Sequence, residues 1–327
     1  MSFRSRTLGF LFVCCMGLLP LMSHAAWPDK PIKIVIGVPP GGVTDTMARI
    51  LGKELSDVLA TPVIIENKTG AGGMLAMTAA AAAEPNGYTV LLDGVTTRVI
   101  SMNFYANATT DLQRGFEPVA LIANAPHVLL VSESSPAKTL PELISLAKSK
   151  SGPLSFASQG NGTLSHLEGE LFAQQLDVQL LHVPYRGSGP AQVDLISGQV
   201  AFMFDSVAAA KPQVRAGKLR ALGVATQKRL PALDAPTLQE AGLSGYQANN
   251  WFGMFAPKGT PSGIVNALSQ ALRKVMDNPA IKSQLGDLGV SLEHGAPAEL
   301  ATTVASEKKM WDALVARGNL VQPEARK

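Results

Sequence analysis

The stretch Val38-Pro39-Pro40-Gly41-Gly42-Val43-Thr44-Asp45-Thr46 joins the β-branched run Ile32 to Ile36 to a segment with apolar residues at helical spacing. This succession of strand, glycine turn and helix is the repeating unit of α/β folds. The two prolines keep the incoming backbone extended, and the two glycines remove Cβ atoms that would shield the N–H groups at the helix start. Those N–H groups suit a carboxylate or phosphate, but an ordinary tight turn with Thr44 as helix cap accounts for the same letters. The stretch alone leaves both interpretations open.

The first 25 residues have the pattern of a cleaved export signal. Arg4 and Arg6 precede an apolar core from Leu8 to Met22. Ser23-His24-Ala25 then offers small residues at the two positions that a signal peptidase reads. We therefore expect residues 1–25 to be a signal peptide and the mature chain to be periplasmic.

The composition of the mature chain excludes several classes of partner. Both cysteines, Cys14 and Cys15, lie in the signal segment, so disulfide and thiol chemistry leave with it. A lipid anchor on Cys14 is the competing interpretation, but Val13 stands where such a signal has a small residue. Two positive charges also leave with the segment, so the formal charge falls from +3 to +1. A nearly neutral chain with no basic cluster is not typical of nucleic-acid binding, and we expect a monomer with a small-molecule partner.

Apolar runs of strand length alternate with amphipathic helical segments over most of the roughly 300 residues that follow Ala25. This alternation predicts an α/β fold with largely parallel sheets, and the length suits two domains. The pattern restarts near Pro126-His127 and again at Trp251 to Ala256. We therefore predict a discontinuous first domain of residues 26–126 and 251–327 and a second domain of residues 127–250.

Polar glycine loops follow strands in both predicted domains. Ser158-Gln159-Gly160-Asn161-Gly162-Thr163 follows the strand Leu154 to Ala157 and leads into a helix, and Tyr185-Arg186-Gly187 opens another such unit. Ser165 with Glu168, and Thr139 with Glu142, fit capping boxes at helix starts.

Two further residues follow strands directly. Thr96 and Asp205 lie after strand ends, where open α/β sheets bind ligands, although Asp205 also suits a helix cap. The segment Ala235 to Gly242 predicts a short helix.

Catalytic and metal motifs are missing from the sequence. The histidines left after export, His127, His166, His182 and His294, show no metal-ligand spacing, and neither a phosphate-binding lysine loop nor a nucleophile elbow occurs. Gly160-Asn161-Gly162 is half of a dinucleotide fingerprint without its acidic partner. We predict no metal, no cofactor and no catalytic residue. The chain has many groups to hold an anion and few to transform one.

Eight short motifs together resemble the Bug family of extracytoplasmic receptors, the binding proteins of tripartite tricarboxylate transporters. They occur in the family's order along nearly all of the mature chain. The motifs are Trp27-Pro28-Asp29-Lys30-Pro31-Ile32, Pro39-Pro40-Gly41-Gly42 with Asp45, Gly70-Ala71-Gly72-Gly73, Glu84-Pro85-Asn86-Gly87-Tyr88-Thr89, Ser165-His166-Leu167-Glu168-Gly169-Glu170, Val183-Pro184-Tyr185-Arg186-Gly187, Pro236-Thr237-Leu238-Gln239-Glu240-Ala241-Gly242 and Trp251-Phe252-Gly253.

The resemblance implies a two-domain periplasmic binding protein (Venus-flytrap) fold with a ligand cleft between its domains. It also implies a receptor, not an enzyme, that delivers a small organic carboxylate to membrane transporter subunits. Its loops would hold one ligand carboxylate largely through backbone and water, and Val43 and Met74 would make the inner wall more apolar. The candidate ligand-binding residues are Pro40, Gly41, Gly42, Thr44, Asp45, Thr96, Ser158, Gly160, Asn161, Gly162, Thr163, His166, Tyr185, Arg186, Gly187 and Asp205.

Two other functions fit parts of this sequence. An exported hydrolase would use His166 or Asp205 as its acid–base group. A ligand-sensing subunit of a membrane signalling kinase would use the same cleft as a transport receptor. Asp45 would repel an anion if it faced inward, so we expect it to cap its helix or bind a water while Gly41 and Gly42 hold the ligand.

Overall fold

The computed structural model describes residues 27–104, 112, 114–149, 152–246 and 248–318. Within them the chain forms a mixed α/β structure with two separate sheets. The predicted signal peptide lies outside the described residues. None of the described helices is long and apolar enough to cross a membrane.

The first sheet has six strands in the order β11-β4-β10-β3-β1-β2. Strand β1 is parallel to β2 and β3, whereas β10 is antiparallel to β3 and β4, and β11 is antiparallel to β4. The strands are β1 Ile32–Ile36, β2 Val63–Asn67, β3 Thr89–Gly94, β4 Phe116–Asn124, β10 Trp251–Pro257 and β11 Ser291–Gly295.

The second sheet has five strands in the order β7-β6-β8-β5-β9. Strand β6 is parallel to β7 and β8, and β5 is antiparallel to β8 and β9. The strands are β5 His127–Ser132, β6 Leu154–Ser158, β7 Leu180–Pro184, β8 Phe202–Ser206 and β9 Leu219–Val224. We call the structure built on the first sheet the first lobe and that on the second sheet the second lobe.

Helices pack against these sheets, and the apolar side chains between helix and sheet form the core. The helices are α1 Val43–Leu59, α2 Met74–Ala81, α3 Leu140–Ala147, α4 Leu164–Leu176, α5 Ser188–Ser197, α6 Val207–Arg215, α7 Ser262–Asp277, α8 Pro279–Asp287 and α9 Pro297–Gly318. The long last helix α9 packs on β4 of the first lobe and on α4 of the second. Its residues Trp311 and Leu314 share one apolar cluster with Leu167 and Phe172 of α4. Helix α9 therefore bridges the two lobes.

Three expectations about local structure need correction. The sheets are mixed and not largely parallel. Parallel neighbours need a crossover connection within one sheet, whereas β5 and β10 each enter their sheet from the other lobe. Strand β11 was not predicted. The segment from Ala235 to Gly242 forms turns and not a helix, although Thr237 and Glu240 make the reciprocal hydrogen bonds of a capping box. The capping box of Thr139 and Glu142 is confirmed at the start of α3.

Two chain segments pass side by side between the lobes. The first leads from β4 to β5 and the second leads into β10. They are joined at one point, where the Ala125 N–H donates to the Asn250 carbonyl at 2.9 Å and the Asn250 side-chain amide donates to the Ala125 carbonyl at 2.9 Å. Asn250 Nδ2 also lies 3.3 Å from His127 Nε2, so Asn250 holds the crossing segments together through both Ala125 and His127.

The contact between α4 and β6 generates a stability prediction. A Cβ atom on Gly169 of α4 would lie 2.1 Å from the Phe156 ring of β6, so any side chain there forces the helix away from the sheet. Gly169→Ala should therefore lower the free energy of unfolding by about 1–3 kcal/mol, the usual cost of overpacking. Urea titration followed by circular dichroism measures this change.

Gly263→Ala is the matched control, because Gly263 is an exposed position of α7 with open space around a Cβ atom. It should leave stability unchanged or raise it by up to about 1 kcal/mol, since alanine favours the helix. Equal stability of Gly169→Ala and the unmodified protein would contradict the close packing of α4 on β6.

Candidate ligand-binding site

The loops that follow β1, β2 and β3 meet at glycines. A Cβ atom on Gly37 would lie 2.7 Å from Cα of Gly73, and one on Gly73 would lie 2.5 Å from Oγ1 of Thr97. Gly73 also has φ +92°, a conformation that favours glycine. The three loops at the carboxyl ends of the parallel strands are therefore packed into one surface of the first lobe, where Thr96 is half-buried.

Asp45 organises the loop that follows β1. Its buried carboxylate accepts hydrogen bonds from the Gly41 N–H at 3.0 Å, from Arg49 at 3.0 and 2.8 Å, and from Asn67 at 2.9 Å. The Arg49 guanidinium, helped by Asn67 and Gly41, lowers the pKa of Asp45 to about 2. Asp45 is thus charged at neutral pH and bonded within the protein.

The hydrogen bonds of Asp45 determine which N–H groups of the glycine loop are available to a ligand. Gly41 has φ +95° and its N–H points to Asp45, so that N–H is not free for a ligand. Gly42 caps α1 with an ordinary φ of −80° and without a side-chain cap, and Thr44 lies inside the helix. The N–H groups of Gly42 to Asp45 belong to the helix start, which has no backbone acceptors for them. Pro40 is exposed beside them.

Asp205 organises the loops of the second lobe in the same way. Its fully buried carboxylate accepts from Gln159 Nε2 at 2.5 Å, Ser188 Oγ at 2.8 Å, Gln192 Nε2 at 2.8 Å and the Ser206 N–H at 2.7 Å. These donors come from the loop after β6, from α5 and from the end of β8. Asp205 therefore holds three elements together, and Ser206 is the residue that caps α6.

Further hydrogen bonds join the loops after β6 and β7. The Tyr185 N–H donates to the Ser158 carbonyl at 3.0 Å, and the Gly187 N–H donates to the Gln159 carbonyl at 3.2 Å. Thr163 Oγ1 donates to the Gly160 carbonyl at 2.7 Å. The second-lobe candidates therefore form one connected site.

The remaining candidates lie at the edges of these loops. Asn161 and Arg186 are exposed. Tyr185 donates its hydroxyl to Asp194 at 2.6 Å, and burial together with that bond raises the pKa of Tyr185 to about 12. Tyr185 is thus a neutral donor that is already used within the second lobe.

A row of rings backs the loop after β6. His166 stacks on His182 with ring centroids 3.9 Å apart, and His182 stacks on Phe156 at 4.9 Å. The Gly162 N–H donates to His166 Nδ1 at 3.2 Å, so that nitrogen acts as an acceptor. Burial and the neighbouring His166 lower the pKa of His182 to about 3, so His182 is neutral.

Phe104 links the two lobes at this loop. It follows the helical turns after β3, and its ring lies edge-to-face against His166 with centroids 5.9 Å apart. A Cβ atom on Gly162 would lie 3.0 Å from Phe104 Cγ. The loop surfaces of both lobes therefore face one another. No local pattern in the sequence indicates a role for Phe104, because a single aromatic residue has no periodicity.

Two predicted details of the site are wrong. Ser165 and Glu168 form no capping box, because Ser165 Oγ accepts from the Gln159 N–H and Glu168 Oε2 lies 2.6 Å from His127 Nδ1. Met74 belongs to the buried core and so lines no inner wall.

Arg98, which follows β3, is also buried. It pairs with Asp93 at 3.2 Å and lies over the rings of Phe116 and Phe255. This arginine thus supports the first lobe from inside.

The site's geometry does not favour hydrolysis. Ser158 Oγ lies 2.6 Å from His182 Nε2, a spacing that also suits a nucleophile and its base. Ser158 is, however, fully buried, and its Oγ accepts from the Gly160 N–H at 3.1 Å. Within the described residues, no group of three or more His, Cys, Asp and Glu side chains is placed to hold a metal ion.

Residues 47–320 match the protein family described as "Tripartite tricarboxylate transporter family receptor". The chain belongs to this family. The Bug-family resemblance of the motifs is thereby confirmed, and the family consists of solute-binding receptors. One relative is the "UPF0065 protein in tcbD-tcbE intergenic region" of Pseudomonas sp. strain P51. It is 39% identical over 89% of this chain and 87% of its own length.

Solved structures confirm the two-domain periplasmic binding protein fold. MatC from Rhodopseudomonas palustris, solved with bound malate, is 36% identical over 88% of this chain and 100% of its own, with a TM-score of 0.77. Rpa4515 of R. palustris, solved with adipate, is 32% identical over 89% of this chain and 97% of its own, with a TM-score of 0.80. This tripartite tricarboxylate receptor is thus a periplasmic carboxylate-binding receptor by family and fold.

Asp45 gives a prediction with a defined pH dependence. Its pKa in the folded protein, about 2, lies below the ordinary value of 3.8, so its stabilisation is present above about pH 4 and is lost as the pH falls toward 2. Asp45→Asn should lower the free energy of unfolding by about 2 kcal/mol at pH 6, the size of hydrogen bonds to a charged group. The difference from the unmodified protein should shrink between pH 4 and pH 2 in denaturant titrations.

Asp57→Asn is the control, because Asp57 is an exposed carboxyl on the same helix. It should change stability by less than about 0.5 kcal/mol. A cost for Asp45→Asn that stays constant from pH 6 to pH 2 would show that the charge of Asp45 is not what holds the loop.

Proposed function

We propose that this receptor binds a small organic carboxylate between the lobes and passes it to membrane transporter subunits without chemical change. The observation that carries the proposal is the arrangement of the two buried aspartates. Asp45 and Asp205 are saturated by internal donors, so they fix the glycine loops and take no part in ligand contact. The N–H groups at the starts of α1 and α4 are left for an anion.

The energetics support recognition by backbone donors alone. A micromolar dissociation constant corresponds to about 8 kcal/mol, and each hydrogen bond to a charged group contributes about 1.5–3 kcal/mol. Three to five donors in a closing cleft are therefore enough, even after some loss to ordering. Malate in MatC and adipate in Rpa4515 are carboxylates of the proposed class.

The two sheets support the domain limits that the sequence predicts. We place the first domain at residues 26–126 and 251–327 and the second at 127–250, because β4 and β5, and β9 and β10, belong to different sheets. Residues 1–25 would be removed on export, and the mature receptor would act as a monomer. Size-exclusion chromatography with light scattering tests the monomer, and mass spectrometry of the periplasmic protein tests the removal of residues 1–25.

The roles of the candidate residues divide into contact and support. We assign ligand contact to the N–H groups around Gly42, Thr44 and Asn161 and to side chains at the cleft such as Thr96 and Arg186. We assign support to residues whose polar atoms are bonded within the protein. These supporting residues are Gly41, Asp45, Ser158, Gly160, Gly162, Thr163, His166, Tyr185, Gly187 and Asp205.

Isothermal titration calorimetry against malate, adipate, acidic amino acids and aromatic acids tests the function directly. We expect binding of at least one carboxylate, with no turnover when the mixture is followed by NMR. Turnover that disappears in His166→Ala would instead establish the hydrolase. Binding by no carboxylate would overturn the proposed function.

Gly42→Val tests the role of the first glycine loop. Gly42 has an ordinary φ and open space where a Cβ would lie, so valine should leave the fold intact. Its branched side chain would cover the N–H groups at the start of α1, and we expect carboxylate affinity to fall at least tenfold in calorimetry.

Gly286→Val, at an exposed helical position with open space, is the matched control and should bind like the unmodified protein. Unchanged affinity in Gly42→Val would show that this loop is only a turn.

A further inference from the structure

Phe104 is the side chain of the first lobe that reaches the ligand loop of the second. It is half-buried, and its ring lies against Gly162 and His166. Gly162 has φ +70° and no Cβ, so the ring approaches the loop backbone itself. Part of the Phe104 side chain is accessible, and Gly162, which the ring contacts, directly follows Asn161, a residue to which we assign ligand contact. The carbon skeleton of a ligand held there would meet this ring.

The rings behind Phe104 form a nearly parallel row that is held in place by packing and hydrogen bonds. His166, His182, Phe156 and Phe202 follow one another with centroid distances of 3.9, 4.9 and 5.7 Å and interplanar angles of 14°, 25° and 21°. Hydrogen bonds to Gly162 and Ser158 fix the two histidine rings. Phe104 lies against His166, the first ring of this row. The rings behind Phe104 therefore leave it little room to move away from a bulky, puckered ligand skeleton.

Two arginines of the first lobe are already engaged in contacts within the protein. Arg49 is bonded to Asp45, and Arg98 is buried with Asp93 between two phenylalanine rings. Neither can turn to the skeleton of a ligand at Phe104 without breaking those contacts. Arg49 and Arg98 therefore do not discriminate between ligand skeletons at Phe104.

We propose that Phe104 is a specificity-determining residue that selects carboxylates with a flat, conjugated or aromatic skeleton over saturated ones. The proposal rests on the proposed function and adds the ligand class to it. A flat π system can stack on or against the Phe104 ring while its carboxylate reaches the loop N–H groups. A saturated skeleton of equal length lacks this interaction and has more rotatable bonds to order on binding.

Two matched ligand pairs test the preference by calorimetry. Benzoate and cyclohexanecarboxylate have equal charge and carbon number and differ in flatness, as do trans,trans-muconate and adipate. We expect the unmodified receptor to bind the flat member of at least one pair about five- to tenfold more tightly. Equal affinities within both pairs, or tighter binding of the saturated members, would overturn the inference and leave the proposed function standing. Binding of none of the four would overturn the inference alone, and the proposed function would then depend on the titrations with malate and acidic amino acids.

Variants of Phe104 separate selection from a structural role. Phe104→Leu keeps apolar bulk. It should lower the affinity for the flat ligand about fivefold and leave the affinity for the saturated ligand within twofold. Phe104→Tyr should keep the preference for the flat ligand. Ile64→Ala removes an exposed apolar side chain from β2 and should change neither affinity. Equal losses for both members of a pair in Phe104→Leu would show that Phe104 merely supports the fold. If Phe104→Leu does not fold, the affinities of the unmodified protein for the two ligand pairs still test the inference.

Discussion

The hydrogen bonds to two buried aspartate carboxylates hold the loops of the proposed ligand site in place. Asp205 collects donors from three elements of the second lobe, and Asp45 ties the loop after β1 to Asn67 at the end of β2. A receptor for anions needs many N–H groups that point to one place, and loops with that property are costly to order. A fixed internal carboxylate orders them before the ligand arrives, which reduces the cost of binding.

Charge is kept away from the ligand by the same arrangement. The Asp45 carboxylate is compensated by Arg49, and Asp205 by four neutral donors, so neither carboxylate is left facing the cleft. The first lobe also buries a cation, Arg98, whose burial lowers its pKa while the paired Asp93 acts in the opposite direction. Such buried pairs add little net stability, and this one joins the end of β3 to the helical turn that follows it.

The sequence predicted the parts of the fold that repeat and missed those that depend on distant partners. The strand, loop and helix order around Gly42 and Gly160 could be predicted because apolar periodicity and turn residues are local signals. Strand direction could not, since β10 pairs antiparallel only because the chain returns from the other lobe. The partners of Asp205 and of Phe104 are likewise far apart in sequence, and no local pattern reports them. Glu168 fits a capping box locally, but the buried His127 binds it instead.

The pair of His127 and Glu168 connects the crossing segments to the ligand loop. His127 begins β5 beside the Ala125–Asn250 hydrogen bonds, and Glu168 lies on α4, the helix whose first turn follows Gly160 to Thr163. Both side chains are buried, and the carboxylate at 2.6 Å raises the pKa of His127 despite the opposing effect of burial. Removing either partner would leave a buried polar group unpaired, so the pair resists separation. The pair therefore fastens α4, and with it the loop that precedes this helix, to β5 of the second sheet.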